Sequence, residues 1–141
     1  MSDETRLRIG SEHDILSARR QGRELAVKGG FSGSDLTVIA TAISEVARNI
    51  VEYAGSGEIL IGLVQNGERR GIVVVASDKG PGIPDITLAM QDGYSTGSSL
   101  GLGLPGAERL MDEFEIDSEP DQGTTVRMKK WAHKVPRTAE R

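Results

Sequence analysis

Glu45 and Asn49 place a carboxylate and a carboxamide four residues apart in Glu45-Val46-Ala47-Arg48-Asn49. On a helix that advances about 100° per residue, a four-residue step returns to within about 40° of its start. Both groups then leave the same side of the helix. A carboxylate accepts a proton, and an amide carbonyl is the hard oxygen donor that Mg²⁺ takes. Leu36, Ile39, Ile43, Val46, Ala47 and Ile50 recur at three- and four-residue steps, an apolar stripe that the pair faces away from. Thr41 and Ala42 lie beside the pair and are small. Solvated helix faces also carry such polar pairs, so this spacing alone leaves both readings open.

Two further segments suit a nucleotide. Asp78 ends the apolar run Ile72 to Ser77 and opens Asp78-Lys79-Gly80-Pro81-Gly82-Ile83-Pro84. An acid at the end of a buried strand accepts a hydrogen bond from a ligand amino group, such as that of adenine. Gly80 and Gly82 leave the backbone bare enough to lie against a flat ring. A plain Asp-x-Gly turn after a strand is the alternative. Gly101-Leu102-Gly103-Leu104-Pro105-Gly106 satisfies G-x-G-x-x-G, but a serine- and threonine-rich loop precedes it instead of a strand. A hairpin follows it, so the dinucleotide-binding unit is excluded. Glycine N–H groups at a helix start still bind phosphate. Thr125 lies on the last predicted strand, where a β-branched residue needs no ligand to explain it.

The elements that must position these groups follow from periodicity. Thr5 to Ile9 alternates as a strand, and Ser11 opens a helix with the stripe Ile15, Ala18, Gly22, Leu25 and Ala26, stopped at Gly29-Gly30. Ser34-Asp35 opens the helix that carries Glu45 and Asn49, and Gly55 and Gly57 close it. Glu58 to Gln65 and Ile72 to Ser77 form a hairpin around Asn66-Gly67, with a connection longer than two residues. Pro84-Asp85 starts a short helix to Gln91, and Pro105 fits the first turn of another reaching Met111. Glu113 to Ser118 and Thr124 to Trp131 make a second hairpin, with Trp131 packed at a sheet edge. The order predicts an α+β fold, a two-layer sandwich of one mixed, mostly antiparallel sheet with helices on one face. Residues 1–131 form one domain, and 132–141 a frayed tail.

Composition narrows the function. The 141 residues contain no cysteine, which removes disulfides, thiolate metal sites and cysteine nucleophiles. A net charge of −4 argues against binding nucleic acid through its phosphate backbone. No apolar run is long enough to span a bilayer, and Met1 to Gly10 does not resemble a signal peptide, so a cytoplasmic protein is expected. His13 and His133 lie away from every motif.

With these segments in order, the chain resembles the GHKL ATPase/kinase superfamily, whose nucleotide site is the Bergerat fold. Glu45 to Asn49 matches its N box, Asp78-x-Gly80-x-Gly82 its first glycine box, and Gly101 to Leu104 its second. Gly123-Thr124-Thr125 matches its final strand motif. The segments Asp78 to Asp85, Gln91 to Thr96, Ser99 to Gly106 and Arg109 to Phe114 look most like the small serine/threonine kinases of the anti-sigma-factor class that switch stressosomes. The resemblance implies ATP and ADP as ligands, with Mg²⁺ on Asn49 and Glu45 as general base on a serine hydroxyl. Asp78, assisted by Thr125, would hold adenine beside Gly80, Gly82 and Ile83. Ser99, Leu100, Gly101, Leu102, Gly103 and Leu104 would wrap the phosphates. It also implies a STAS-domain scaffold or antagonist protein as substrate and a PP2C-type phosphatase as the partner activated after release. Sequestration of a sigma subunit, or nucleotide sensing without turnover, are the rival functions; an intact Glu45 argues against the latter. One departure stands out: no Lys or Arg lies between Asp92 and Glu108. The cation for the terminal phosphate must come from elsewhere, and Arg48 is the candidate.

Overall fold

The computed structural model describes residues 3–82 and 103–132. Chain order is β1 (Glu4–Ile9), α1 (Glu12–Lys28), α2 (Ser34–Tyr53), β2 (Gly57–Asn66), β3 (Arg69–Asp78), α3 (Gly103–Leu110), β4 (Glu113–Glu119) and β5 (Gly123–Trp131). The strands form one sheet in the order β1-β2-β3-β5-β4. Every pairing is antiparallel, so the parallel component allowed for by a mixed sheet is absent among the described residues. The expected helix within Pro84–Gln91 and the tail beyond Ala132 lie outside those residues.

Alternation decides which way each strand faces. Ile59 and Ile61 of β2, Ile72, Val74 and Ala76 of β3, and Val126 and Met128 of β5 are buried at every second position. They form one apolar surface under Ile39, Ile43, Val46 and Ile50 of α2, all at most 2% exposed. Helix α2 is the central beam: α1 packs along one flank and α3 along the other. Ser44 ties the first flank, its Oγ donating to the Ala40 carbonyl and accepting from Arg19 Nη1 at 3.2 Å.

The termini obey local chemistry. Ser11 caps α1 by accepting the Asp14 N–H, and Asp14 Oδ2 reaches back to the Gly10 N–H at 2.9 Å. The β2–β3 connection is shorter than expected. Asn66 pairs with Arg69, leaving Gly67-Glu68 as the two central residues. Of these two only Gly67 has positive φ (65°), the type II′ pattern with glycine first. Trp131 is also not on an edge strand: β5 lies between β3 and β4. It ends that strand opposite Gly71, its ring under the Arg69 guanidinium at 4.4 Å, its indole N–H on Glu113.

The β4–β5 hairpin folds back onto the end of β3. Gly123 opens β5 at φ 94°, and a Cβ there would overlap the Asp78 carbonyl oxygen and lie 2.8 Å from Lys79 Cα. Backbone on both sides leaves nothing able to give way. Gly123→Ala is therefore expected to destabilise the fold by about 2 kcal/mol or more. Urea unfolding checks this, and an unchanged midpoint at unchanged slope would refute the close packing of these two segments.

Candidate functional site

The rigid part of the site is α2. Because Ile39, Ile43, Val46 and Ile50 fix its rotation against the sheet, Glu45 and Asn49 are carried together on the flank nearest α3, both half-buried. The N–H of Gly103, the first residue of α3, donates to Glu45 Oε1 at 3.1 Å across 58 positions of chain. A helix N-terminus presents unsatisfied N–H groups and partial positive charge, which a carboxylate complements. Helix α3 is held there from its far end as well. Lys130 is an inward-facing lysine of β5, 9% exposed, whose Nζ donates to the Leu110 carbonyl and lies 3.8 Å from Asp112.

Burial pushes the Glu45 carboxyl above its usual range, the largest influence on it. The Arg48 charge and the Gly103 N–H pull it down, and Glu52 pushes it up again, leaving it raised. A carboxyl tuned upward is a better proton acceptor than a solvated one. Arg48, half-buried, shapes this field, and its Nη1 is buried with no hydrogen-bond partner among the described residues. An unmet buried donor costs roughly 1–3 kcal/mol.

The second part is the bend after β3. Asp78 Oδ1 accepts the N–H of Gly80 at 2.9 Å and of Thr124 at 3.3 Å. One carboxylate thus ties the strand end, the bend and the start of β5. The glycines of the bend have a packing reason that the sequence did not reveal. A Cβ on Gly80 would stand 2.6 Å from Ala54 Cβ, at the end of α2, and one on Gly82 would overlap the Glu119 carbonyl. Asp121 N–H closes the same corner on the Pro81 carbonyl at 2.8 Å.

The structure brings Glu45 and Gly103 into contact, with Asn49 one turn further along α2, and Asp78, Gly80 and Gly82 together near the end of that helix. Thr125 lines the same groove as Asp78 but takes the other face of the sheet. Thr125 pairs with Ser77 on the sheet face away from the helices, whereas the buried Thr124 shares the face of Asp78 and bonds Ser118 Oγ through Oγ1 at 2.8 Å. Counting back by twos from the buried Val126 and Met128 selects Thr124, a signal the motif match overlooked. Leu104 is 5% exposed and belongs to the core, so its side chain anchors α3. Ile83, Ser99, Leu100, Gly101 and Leu102 lie outside the described residues. An open groove of about 710 Å³ runs over the outer sheet face between Arg6, Arg8, Glu58, Lys79 and Thr125, and Asp78 lines it as well. Neither Glu45 nor Asn49 lines it.

A helix carrying Glu and Asn over an antiparallel sheet, with an acid-glycine bend at one strand end, defines a class. The histidine kinase-like ATPase domain family matches residues 12–130, and the chain belongs to that family, a GHKL domain. It is similar to the serine/threonine-protein kinase RsbT of Bacillus subtilis (strain 168), 49% identical over 131 residues that span 93% of this chain and 98% of RsbT. An anti-sigma F factor of Bacillus licheniformis is 34% identical over 103 residues, 68% of this chain and 69% of that one. Identity and coverage of this order make the chain a protein serine/threonine kinase. Solved structures share the fold. The RsbU and RsbW domains of Rv1364c from Mycobacterium tuberculosis match with a TM-score of 0.57 at 24% identity, over 94% of this chain and 35% of that one. The mycobacterial sensor histidine kinase MprB matches at 0.56 and 15%, over 96% of this chain and all of that one.

The raised Glu45 carboxyl has a thermodynamic signature. Its charged form is disfavoured in the fold, so it lowers folding stability as pH rises from its unfolded value through the raised folded one. Glu45→Gln keeps an oxygen for the Gly103 N–H and removes the titration. The variant is therefore expected to gain stability relative to the parent as pH rises from about 4 to about 7. Paired urea titrations measure it; a difference that stays flat, or falls with pH, would contradict the raised carboxyl.

Proposed function

We propose that the kinase binds ATP between α2, the Asp78–Gly82 bend and the start of α3, and transfers its terminal phosphate to a serine of a STAS-domain partner. The observation that carries this reading is the shared side of Glu45 and Asn49 on α2, with Glu45 set against the first amide of α3. Asp78 is anchored through Oδ1 by two backbone donors, which leaves Oδ2 as the acceptor offered to the adenine amino group. Thr124, beside it on the same face, is the hydroxyl suited to the same ring edge; Thr125 is not.

The donor set fits magnesium carried by phosphate. Among the described residues no group of three His, Cys, Asp or Glu could hold a metal alone, and Asn49 supplies one hard oxygen. Bound there, Mg²⁺ would neutralise phosphate charge and orient the chain of the nucleotide. Glu45, half-buried with its carboxyl raised, accepts the serine proton as the oxygen attacks. Its hydrogen bond to Gly103 holds the carboxylate in position.

Likeness to RsbT, and to anti-sigma F factors at lower identity, supports partner switching as the setting. In that reading the phosphorylated STAS protein releases the kinase, which then activates a PP2C-type phosphatase from the cytoplasm. Sequestration of a sigma subunit is the second reading, favoured by the anti-sigma F likeness.

Incubation with labelled ATP, Mg²⁺ and candidate STAS proteins, followed by mapping of the modified residue, tests the assignment. Glu45→Ala is expected to keep ATP affinity within about threefold while transfer falls roughly 10²–10⁴-fold. Full-rate transfer by this variant would remove Glu45 as the base. Capture of a sigma subunit with no phosphorylated STAS protein would favour sequestration.

A further inference from the structure

Phosphoryl transfer concentrates negative charge at the terminal phosphate, which a positioned cation stabilises. Here the segment leading into α3 offers none: no Lys or Arg stands between Asp92 and Glu108. Arg48 is three residues after Glu45 and adjacent to Asn49, about 60° around the helix from the carboxylate. It is not on the sheet-facing stripe, so packing against the core does not explain it.

Its surroundings are those of a ligand-binding cation. Arg48 Nη1 is shielded from solvent and makes no hydrogen bond among the described residues. Buried guanidinium donors in native proteins are normally paired, because removing their water without replacing it is unfavourable. Glu45, one turn back on α2, feels the Arg48 charge but spends its Oε1 on the Gly103 N–H. The two therefore sit side by side as a proton acceptor and an uncommitted donor.

We propose that Arg48 is the phosphate-binding cation of this kinase, its guanidinium donating to the terminal phosphate of the bound nucleotide from the wall formed by α2. The proposal rests on the ATP site put forward above. Guanidinium suits the role because its planar fork donates two parallel hydrogen bonds to phosphate oxygens and stays charged at every working pH. Placed one turn from the base, it would also favour the ionised form of Glu45 without occupying the oxygen that takes the serine proton.

Binding of AMP-PNP and of ADP, each with Mg²⁺, to the full chain separates this role from a structural one, since only AMP-PNP carries the third phosphate. Arg48→Gln is expected to weaken AMP-PNP binding about tenfold or more while ADP changes less than about threefold. Transfer to the partner should fall at least about 10²-fold at saturating nucleotide. Arg48→Lys keeps the charge without the fork, and should recover part of the preference for AMP-PNP over ADP. If Arg48→Gln fails to fold, a lowered AMP-PNP to ADP preference in Arg48→Lys supports the proposal, and an unchanged one overturns it. Equal losses for both nucleotides, or none, overturn it and leave the ATP site standing. A parent chain that binds neither nucleotide overturns both.

Discussion

The Asp78 carboxylate is where the structure is joined. It stands at the last residue of β3, and a single oxygen receives the N–H groups of Gly80 and Thr124. That bond pattern ties the end of the central strand and the bend just after it to the start of β5, 46 positions further on. Everything nearby is fitted to this join. Gly123 has no side chain because the Asp78 carbonyl fills the space, and Gly80 has none because the end of α2 does. An acid held by two backbone donors in such a place keeps one fixed orientation.

Helix α2 converts that join into a site. Its isoleucine stripe locks it onto the sheet, so the groups on its flank inherit the rigidity of the core without belonging to it. Glu45 is raised by burial yet steadied by the amide of α3, and Arg48 keeps an unmet donor beside it. Core packing here sets the geometry of the chemistry, and the charged groups bear the electrostatic strain. Helix α3 completes the arrangement because Leu104 pins one end in the core and Lys130 caps the other.

Much of this was legible in the sequence because it depends on local periodicity. The Ile39–Ile43–Val46–Ile50 stripe fixed which side of α2 Glu45 and Asn49 would take, and Ser11 and Gly29 marked the ends of α1 where they are found. What depended on contacts across the fold was hidden. The packing reasons for Gly80 and Gly82 needed Ala54 and Glu119 in place. The choice between Thr124 and Thr125 is a matter of strand parity, and a shift of one residue sends the side chain to the other face of the sheet. Nothing local to Asn66-Gly67 says whether the turn centres on that pair or one residue later; the cross-strand register decides it. Glu45 bonding to Gly103 spans 58 positions, which no local pattern could report.

Adenine recognition by Asp78 is tested most directly by the parent chain itself, with ATP and ITP titrated under identical Mg²⁺. The two nucleotides differ where adenine has an amine and hypoxanthine a carbonyl, so the phosphate contacts cancel. A carboxylate acceptor should favour ATP by about 10- to 100-fold, because ITP would set one acceptor against another. Equal affinities would contradict it and place the base somewhere other than the end of β3.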